Sequence, residues 1–319
     1  MKKIVILDGK TLGELDFDKL REFGELAYYD TTKTEEVVER IKDANIVLTN
    51  KVVLNENNLK EAKNLELICE TATGFNNIDI VYAKNNNIAV TNVAGYSTNT
   101  VAQHTFATVL SLYDKLSYYD NYVKSGDYAK SGLFTNVSKP FYELEGKTWG
   151  IIGFGAIGKR VAKIAEVFGV NVIYYSTSGK NSNSEYKRVD FEELLDQSDI
   201  ISIHAPLNKD TQGLINYDAL KNMKKSSILV NMGRGPIVVE ADLAKALDEE
   251  LIAGAALDVF EVEPIKEYNP LISIRNKENL VVTPHIAWAS VEARVRLFEE
   301  VINNIKAFYN GEIRGRVEL

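Results

Sequence analysis

Short apolar runs alternate with polar stretches of helical length along most of this 319-residue chain. In the first third the runs fall at residues 4–7, 26–29, 46–49, 65–69 and 88–91, each the length of one strand. Stretches such as 34–43 and 78–84 lie between them and read as helices. Repeated strand–helix alternation predicts a parallel sheet in an α/β domain. A long helix is predicted over 97–124, because Val109, Leu112, Leu116, Tyr119 and Val123 recur at steps of three and four. Ser97 or Thr98 is placed to cap its start. Residues 125–147, with Gly126, Gly132 and Pro140, read as a loop.

A second series then begins. Strands are predicted at 149–152, 172–175, 200–203, 228–231, 255–259 and 280–283, and a last helix at 291–309. After the first of these strands, Val161, Ile164, Ala165 and Phe168 mark one face of a helix. The two series share a rhythm without a detectable sequence repeat.

Composition narrows the class. Hydrophobic residues make up 45% and charged residues 26%, as in a water-soluble globular protein. A formal net charge of -8 argues against nucleic acid as a partner and requires any anionic ligand to be attracted locally. Cys69 is the sole cysteine, which excludes an intrachain disulfide and fits a reducing compartment. The opening MKKIVILDGK has too short an apolar stretch for a secretion signal, and no run reaches the roughly 20 apolar residues of a membrane span. The expectation is a cytoplasmic enzyme with neither membrane nor nucleic-acid partner. No metal site is predicted.

The first chemical signal is GFGAIG, with Gly153, Gly155 and Gly158 between a strand and an amphipathic helix. Glycines there allow a tight turn and a close approach to a pyrophosphate. The helix amino end, at Ala156 and Ile157, offers free N–H groups and a positive dipole end. A plain tight turn is the bland alternative; the strand–turn–helix context favours a dinucleotide. About 20 residues further on, an acid usually takes the ribose hydroxyls and repels a 2′-phosphate. Ser176 stands at that place, followed by Thr177, Ser178, Gly179 and Lys180. These hydroxyls and the lysine can receive a phosphate, although no arginine lies in the stretch. The cofactor expected is therefore NAD(H) or NADP(H).

Later strands end in residues suited to chemistry. They are His204 in ISIHAP, Arg234 in NMGRG, Asp258 and Glu263 in ALDVFEVEP, and His285 in TPHIAW. In an open parallel sheet the strand carboxyl ends share one edge, and ligands bind there. His285 is the candidate proton donor, against the alternative of a capping histidine. Glu263 could be a solvated loop acid; as a partner to imidazole it would fix the tautomer and favour the protonated ring. Arg234, between two glycines, can grip a carboxylate in bidentate fashion, or it is a plain turn arginine. Pro206 gives His204 a backbone-shaping role, and His104, within the long helix, reads as structural or inter-domain.

GFGAIG, HAPLN, NMGRGPIV, ALDVFEVEP and TPHIAW, with TGFNNID at 73–79 and NVAGYSTNTVAQH at 92–104, resemble the D-isomer-specific 2-hydroxyacid dehydrogenase family over essentially the whole chain. The resemblance implies two Rossmann-like or flavodoxin-like parallel-sheet domains with a cleft between them. Residues 1–97 plus 290–319 would bind substrate, and residues 98–289 the dinucleotide. Arg234, Glu263 and His285 would form the catalytic set. The Thr73 and Gly74 backbone, with Arg234 and His285, would hold the substrate. Ala205, Pro206, Thr211, Met232 and Gly233 would line the cofactor, and Asp258 would bind the nicotinamide carboxamide. Homodimers that pair through the dinucleotide domain are implied as well. LFTNVSKPFYEL and HIAWAS are similar to members that act on glycerate, hydroxypyruvate or glyoxylate, and Trp288 could wall off a small pocket or simply pack. A broader D-lactate-type dehydrogenase is the alternative, and a dinucleotide-sensing corepressor-like protein is an alternative of another class.

Overall fold

The computed structural model describes residues 1–180 and 182–319, and the chain divides into two compact units. The first comprises residues 1–97 and 289–319, the second residues 98–288.

Among the described residues the first unit holds five parallel strands: β1 (Lys3–Ile6), β2 (Glu25–Tyr28), β3 (Ile46–Thr49), β4 (Leu67–Glu70) and β5 (Ala89–Thr91), in the order β2-β1-β3-β4-β5. That is the flavodoxin-like winding. Ile4, Val5, Ile6, Val47, Leu48, Leu67 and Ile68 are all fully buried, as expected of strands covered on both faces. The Val291–Tyr309 helix completes this unit. Ser290 caps it, Leu297, Phe298, Val301 and Ile305 face inwards, and Arg296 donates to the Tyr96 carbonyl.

The second unit holds seven strands among the described residues: β6 (Thr148–Ile152), β7 (Asn171–Tyr175), β8 (Lys187–Arg188), β9 (Ile200–Ile203), β10 (Ile228–Asn231), β11 (Gly254–Leu257) and β12 (Leu280–Val282). Their order is β12-β11-β10-β9-β6-β7-β8, all parallel. The winding reverses beside β6, which is where a doubly wound sheet opens a crevice. The ladder runs on past the strand ends. Gly153 donates to Tyr175 O, His204 to Ile152 O, Met232 to Ile203 O, Asp258 to Asn231 O and Thr283 to Leu257 O. Five turns are thereby held side by side at one edge.

The sequence reading needs three changes. The helix expected over 97–124 is two, Thr98–Tyr113 and Leu116–Lys124, because Lys115 adopts a left-handed conformation. The apolar stripe continues in sequence, but Val109 and Leu112 are buried while Leu116 and Val123 are exposed. The stretch 125–147 contains a short helix at Asp127–Ser131. Strand β8 was not foreseen, since Lys187 and Arg188 are exposed and carry no apolar signal. No described helix is long and apolar enough to cross a membrane.

Candidate active site

Asp258 is the hub of the second unit's ligand edge. It follows β11 and is buried. Its Oδ1 accepts from Thr283 Oγ1 at 2.6 Å and from the Ile286 N–H at 2.8 Å, and its Oδ2 accepts from the Ala287 N–H at 2.8 Å. The Asp258 carbonyl accepts from the His285 N–H at 2.7 Å. Thr283, having donated its proton to Asp258, accepts from His104 Nε2 at 3.0 Å. One carboxylate thus fixes the whole 283–287 turn. Within it, His285 sits at φ 56, a conformation uncommon for a residue with a side chain and held only where the surroundings dictate it. Two of the three donors fall on Oδ1 and one on Oδ2, so Oδ2 keeps an acceptor site.

The turn presents His285 to Glu263. Its Nδ1 lies 2.7 Å from Glu263 Oε2, and the two side chains remain 22% and 34% exposed, open to a ligand. Glu263 is held in turn, since its Oε1 accepts from the Phe260 N–H. The 260–263 loop is pinned further by a reciprocal pair: Glu261 N donates to Glu240 Oε1 and Glu240 N to Glu261 Oε1. A carboxylate at Nδ1 favours a proton on that nitrogen and leaves Nε2 for another partner.

Arg234 leaves β10 on the adjacent turn. Buried Asn231 clamps that turn at both ends, accepting from the Gly233 N–H and donating to the Arg234 carbonyl, each at 3.0 Å. Arg234 Nη1 donates to the Gly233 carbonyl at 2.8 Å and the side chain is half-buried. Gly235 packs directly on the neighbouring turn, where an added Cβ would lie 1.9 Å from the Phe260 backbone. This close approach joins the Arg234 turn to the Glu263 loop.

His204 occupies the same edge with a different character. Trp149 Nε1 donates to Ser202 Oγ at 2.9 Å, and Ser202 Oγ lies 3.0 Å from His204 Nε2. Ser202 is fully buried, and the other ring nitrogen, His204 Nδ1, has no hydrogen-bond partner among the described residues. Burial pushes the His204 pKa down to about 3. A ring so held stays neutral and makes a poor proton donor near neutral pH.

The glycine turn makes a cradle beside these groups. Gly153 has φ 90, and a Cβ there would strike the Ala205 backbone at 2.6 Å. A Cβ on Gly158 would meet Gly153 O at 2.4 Å, whereas Gly155 faces open space. The Ala156–Val167 helix starts there with no side-chain cap, which leaves the Ala156 and Ile157 end free to receive an anion. Ala205, Met232 and Gly233 are buried in the flanking turns and Pro206 is exposed. Thr211 is fully buried and its hydroxyl donates to Pro206 O, so it shapes that loop from within. Trp288 packs partly buried on the second unit's apolar cluster. Among the described residues no cluster of His, Cys, Asp or Glu could hold a metal ion.

At the β7 end, Ser176 is buried, while Thr177 is half-buried and Ser178 and Lys180 are exposed. The stretch itself holds no arginine, as its sequence shows, but β8 brings one beside it. Arg188, brought alongside by β8, donates to the Gly179 carbonyl at 2.9 Å. Its distance in sequence hid it, as distance hid the Thr283–Asp258 and Gly235–Phe260 pairings. In the first unit, Thr73 and Gly74 lie on the 71–78 loop after β4, where Thr73 Oγ1 donates to Val93 O.

Comparison with known proteins gives this arrangement a family. Residues 106–287 match the D-isomer specific 2-hydroxyacid dehydrogenase, NAD binding domain. A hydroxypyruvate reductase from Blautia hydrogenotrophica is 38% identical over 318 residues, 97% of each chain. The chain belongs to the D-isomer specific 2-hydroxyacid dehydrogenase family. A glycerate dehydrogenase of the bacterium Methylorubrum extorquens is 40% identical over 99% of each chain. Among solved structures, an acyclic imino acid reductase in complex with NADPH and D-Arg has a TM-score of 0.87 at 30% identity, over 99% of each chain. An NADPH-dependent glyoxylate/hydroxypyruvate reductase from Sinorhizobium meliloti, with NADP and malonate, has a TM-score of 0.85 at 26% identity, covering 99% of this chain and 96% of that one. As a D-2-hydroxyacid dehydrogenase the chain is an NAD(P)-dependent oxidoreductase acting on CH–OH donors. The glycine cradle and the uncapped helix end fit the dinucleotide's pyrophosphate.

The packing at Gly235 yields a stability prediction. Gly235→Ala forces the 234–237 turn away from Phe260 and is expected to cost about 1–3 kcal/mol or more by urea unfolding. An unchanged midpoint would show that the two turns are not locked together.

Proposed function

We propose that this dehydrogenase reduces a small 2-oxo acid, hydroxypyruvate or glyoxylate first, to its D-2-hydroxy acid. One observation carries the reading: His285 Nδ1 stands 2.7 Å from Glu263 Oε2 on the edge that also bears Arg234 and the glycine cradle. Arg234 is assigned the substrate carboxylate and carbonyl; among the described residues only its Nη1 is hydrogen-bonded, to Gly233 O, so the outer fork can turn to an anion. The backbone of Thr73 and Gly74 is assigned a share of the same carboxylate. His285 gives a proton from Nε2 to the developing alkoxide, while Glu263 steadies the imidazolium charge through Nδ1. NAD(P)H, when bound, supplies the hydride. Names of relatives support the substrate class, since they include hydroxypyruvate reductase, glycerate dehydrogenase and glyoxylate reductase.

The proposal extends to cofactor choice, pairing and location. Arg188, Lys180 and the hydroxyls of Thr177 and Ser178 favour acceptance of a 2′-phosphate, and the loop has no acid where Ser176 stands. Leu116, Val123, Leu133, Phe134, Val137 and Phe141 are exposed on one stretch of the second unit, which supports a homodimer built through that unit. Cys69 is a buried free thiol, consistent with work in the cytoplasm.

Two measurements test this. His285→Ala should lower kcat/KM for hydroxypyruvate by roughly 10²–10⁴-fold while dinucleotide binding persists; near-normal turnover would show another proton donor. Should no 2-oxo acid be turned over by the unaltered chain, a dinucleotide-sensing role would replace the enzymatic one. For the phosphate loop, Arg188→Ala should weaken NADPH binding about tenfold, some 1.4 kcal/mol, and leave NADH nearly unchanged. An equal effect on both cofactors, or a wild-type preference for NADH above about tenfold, would contradict the assignment.

A further inference from the structure

The first unit buries a carboxyl that the proposed chemistry does not use. Glu70, the last residue of β4, is fully buried. Its Oε2 accepts from Asn77 Nδ2 at 2.9 Å, and Oε1 has no hydrogen-bond partner among the described residues. Asn77 closes the 71–78 loop. Its Nδ2 also donates to the Val52 carbonyl, and its own carbonyl accepts from the Leu54 N–H. Elsewhere the loop is tied by Thr71 N to Thr49 O, by Val93 N to Ala72 O and by Asn92 Nδ2 to Thr73 O. Glu70 and Asn77 therefore bracket Thr73 and Gly74, one at each foot of the loop.

We propose that Glu70 is a positioning residue for substrate binding: a buried carboxyl that anchors Asn77 and so sets the loop carrying Thr73 and Gly74. This rests on the assignment of the substrate carboxylate to that loop. A charged group at such a place would work against an anionic substrate. Burial pushes the Glu70 carboxyl up to about 9, with the charge of Asp8 raising it further and the Asn77 hydrogen bond and Lys51 opposing. Asp8, two residues past β1, is itself buried and its carboxyl raised by burial, against hydrogen bonds from the Asn50 and Lys51 N–H groups. The neighbouring thiol of Cys69 is pushed up to about 12 by burial. Lys51 is thus the cation among the groups that face Glu70, and Glu70 enters neutral pH holding its proton.

The sign of the pH effect follows. Folded Glu70 keeps its proton to a higher pH than the unfolded chain, whose ordinary value is 4.5. The stability it contributes is complete below that value and falls as the pH rises towards 9. Within the folded protein, ionisation near 9 places a negative charge beneath the loop, and substrate affinity falls with it.

The experiment uses the full chain with hydroxypyruvate, comparing Glu70→Ala, Glu70→Gln and Gly74→Val at pH 7 and above pH 9. Glu70→Ala should raise KM about tenfold or more with kcat changed little, because a positioning loss falls on binding. Glu70→Gln, which keeps an acceptor for Asn77, should restore KM at pH 7. It should also lack the rise in KM above pH 9 and the decline in urea stability between pH 5 and 9 expected of the unaltered chain. If Gly74→Val raises KM while both Glu70 variants match the unaltered chain at each pH, the inference on Glu70 falls alone. If Gly74→Val leaves KM unchanged, the loop does not hold the substrate and both readings fall. Should Glu70→Ala not fold, the Glu70→Gln pH comparison decides by itself.

Discussion

The carboxylate of Asp258 is the constraint on which the candidate site depends. A buried carboxylate must satisfy its oxygens, and this one does so with Thr283 Oγ1 and two backbone N–H groups of a single turn. That demand fixes residues 283–287, holds His285 at its positive φ, and aims Nδ1 at Glu263. His104 extends the network through Thr283 into the Thr98–Tyr113 helix. A proton donor, the role proposed for His285, needs orientation before it needs acidity, and the 283–287 turn takes its orientation from Asp258.

The rest of the edge follows from the parallel sheet. Each strand ends one residue before a turn whose first N–H bonds to the neighbouring strand, so residues 153, 204, 232, 258 and 283 lie side by side. A doubly wound sheet makes this row automatically; what the sequence adds is the choice of side chains and the glycines that let turns touch. Gly153 and Gly235 do the second task, each where a Cβ would meet another turn's backbone. His204 illustrates how environment decides role. It shares the row with His285, but burial keeps it neutral, whereas His285 has a carboxylate and access to solvent.

Much of this is legible in the sequence. Short apolar runs marked the principal strands, because strands buried on both faces must be apolar throughout. The glycine turn and the strand-end residues stood out because sequence neighbours define both. What escaped were partners distant in the chain. Arg188 reaches the Ser176 loop only because β8 pairs with β7, and β8 is two exposed charged residues with no hydrophobic period. Asp258 is assigned to the nicotinamide carboxamide by resemblance alone, and the sequence does not show that it also holds a turn 25 to 29 residues away. The break at Lys115 escaped because the apolar spacing continues through it, and spacing does not record that the second half of the stripe stays exposed.

Asp258→Asn tests the account most directly, because an amide in that place sets an N–H₂ against the N–H groups it should receive. Stopped-flow measurement of hydride transfer, alongside dinucleotide affinity by titration, separates orientation of His285 from cofactor contact. The account predicts a fall of about 10²-fold or more in the transfer rate with dinucleotide affinity changed less than about tenfold. Transfer at the unaltered rate, or a loss that lies wholly in dinucleotide affinity, would contradict it.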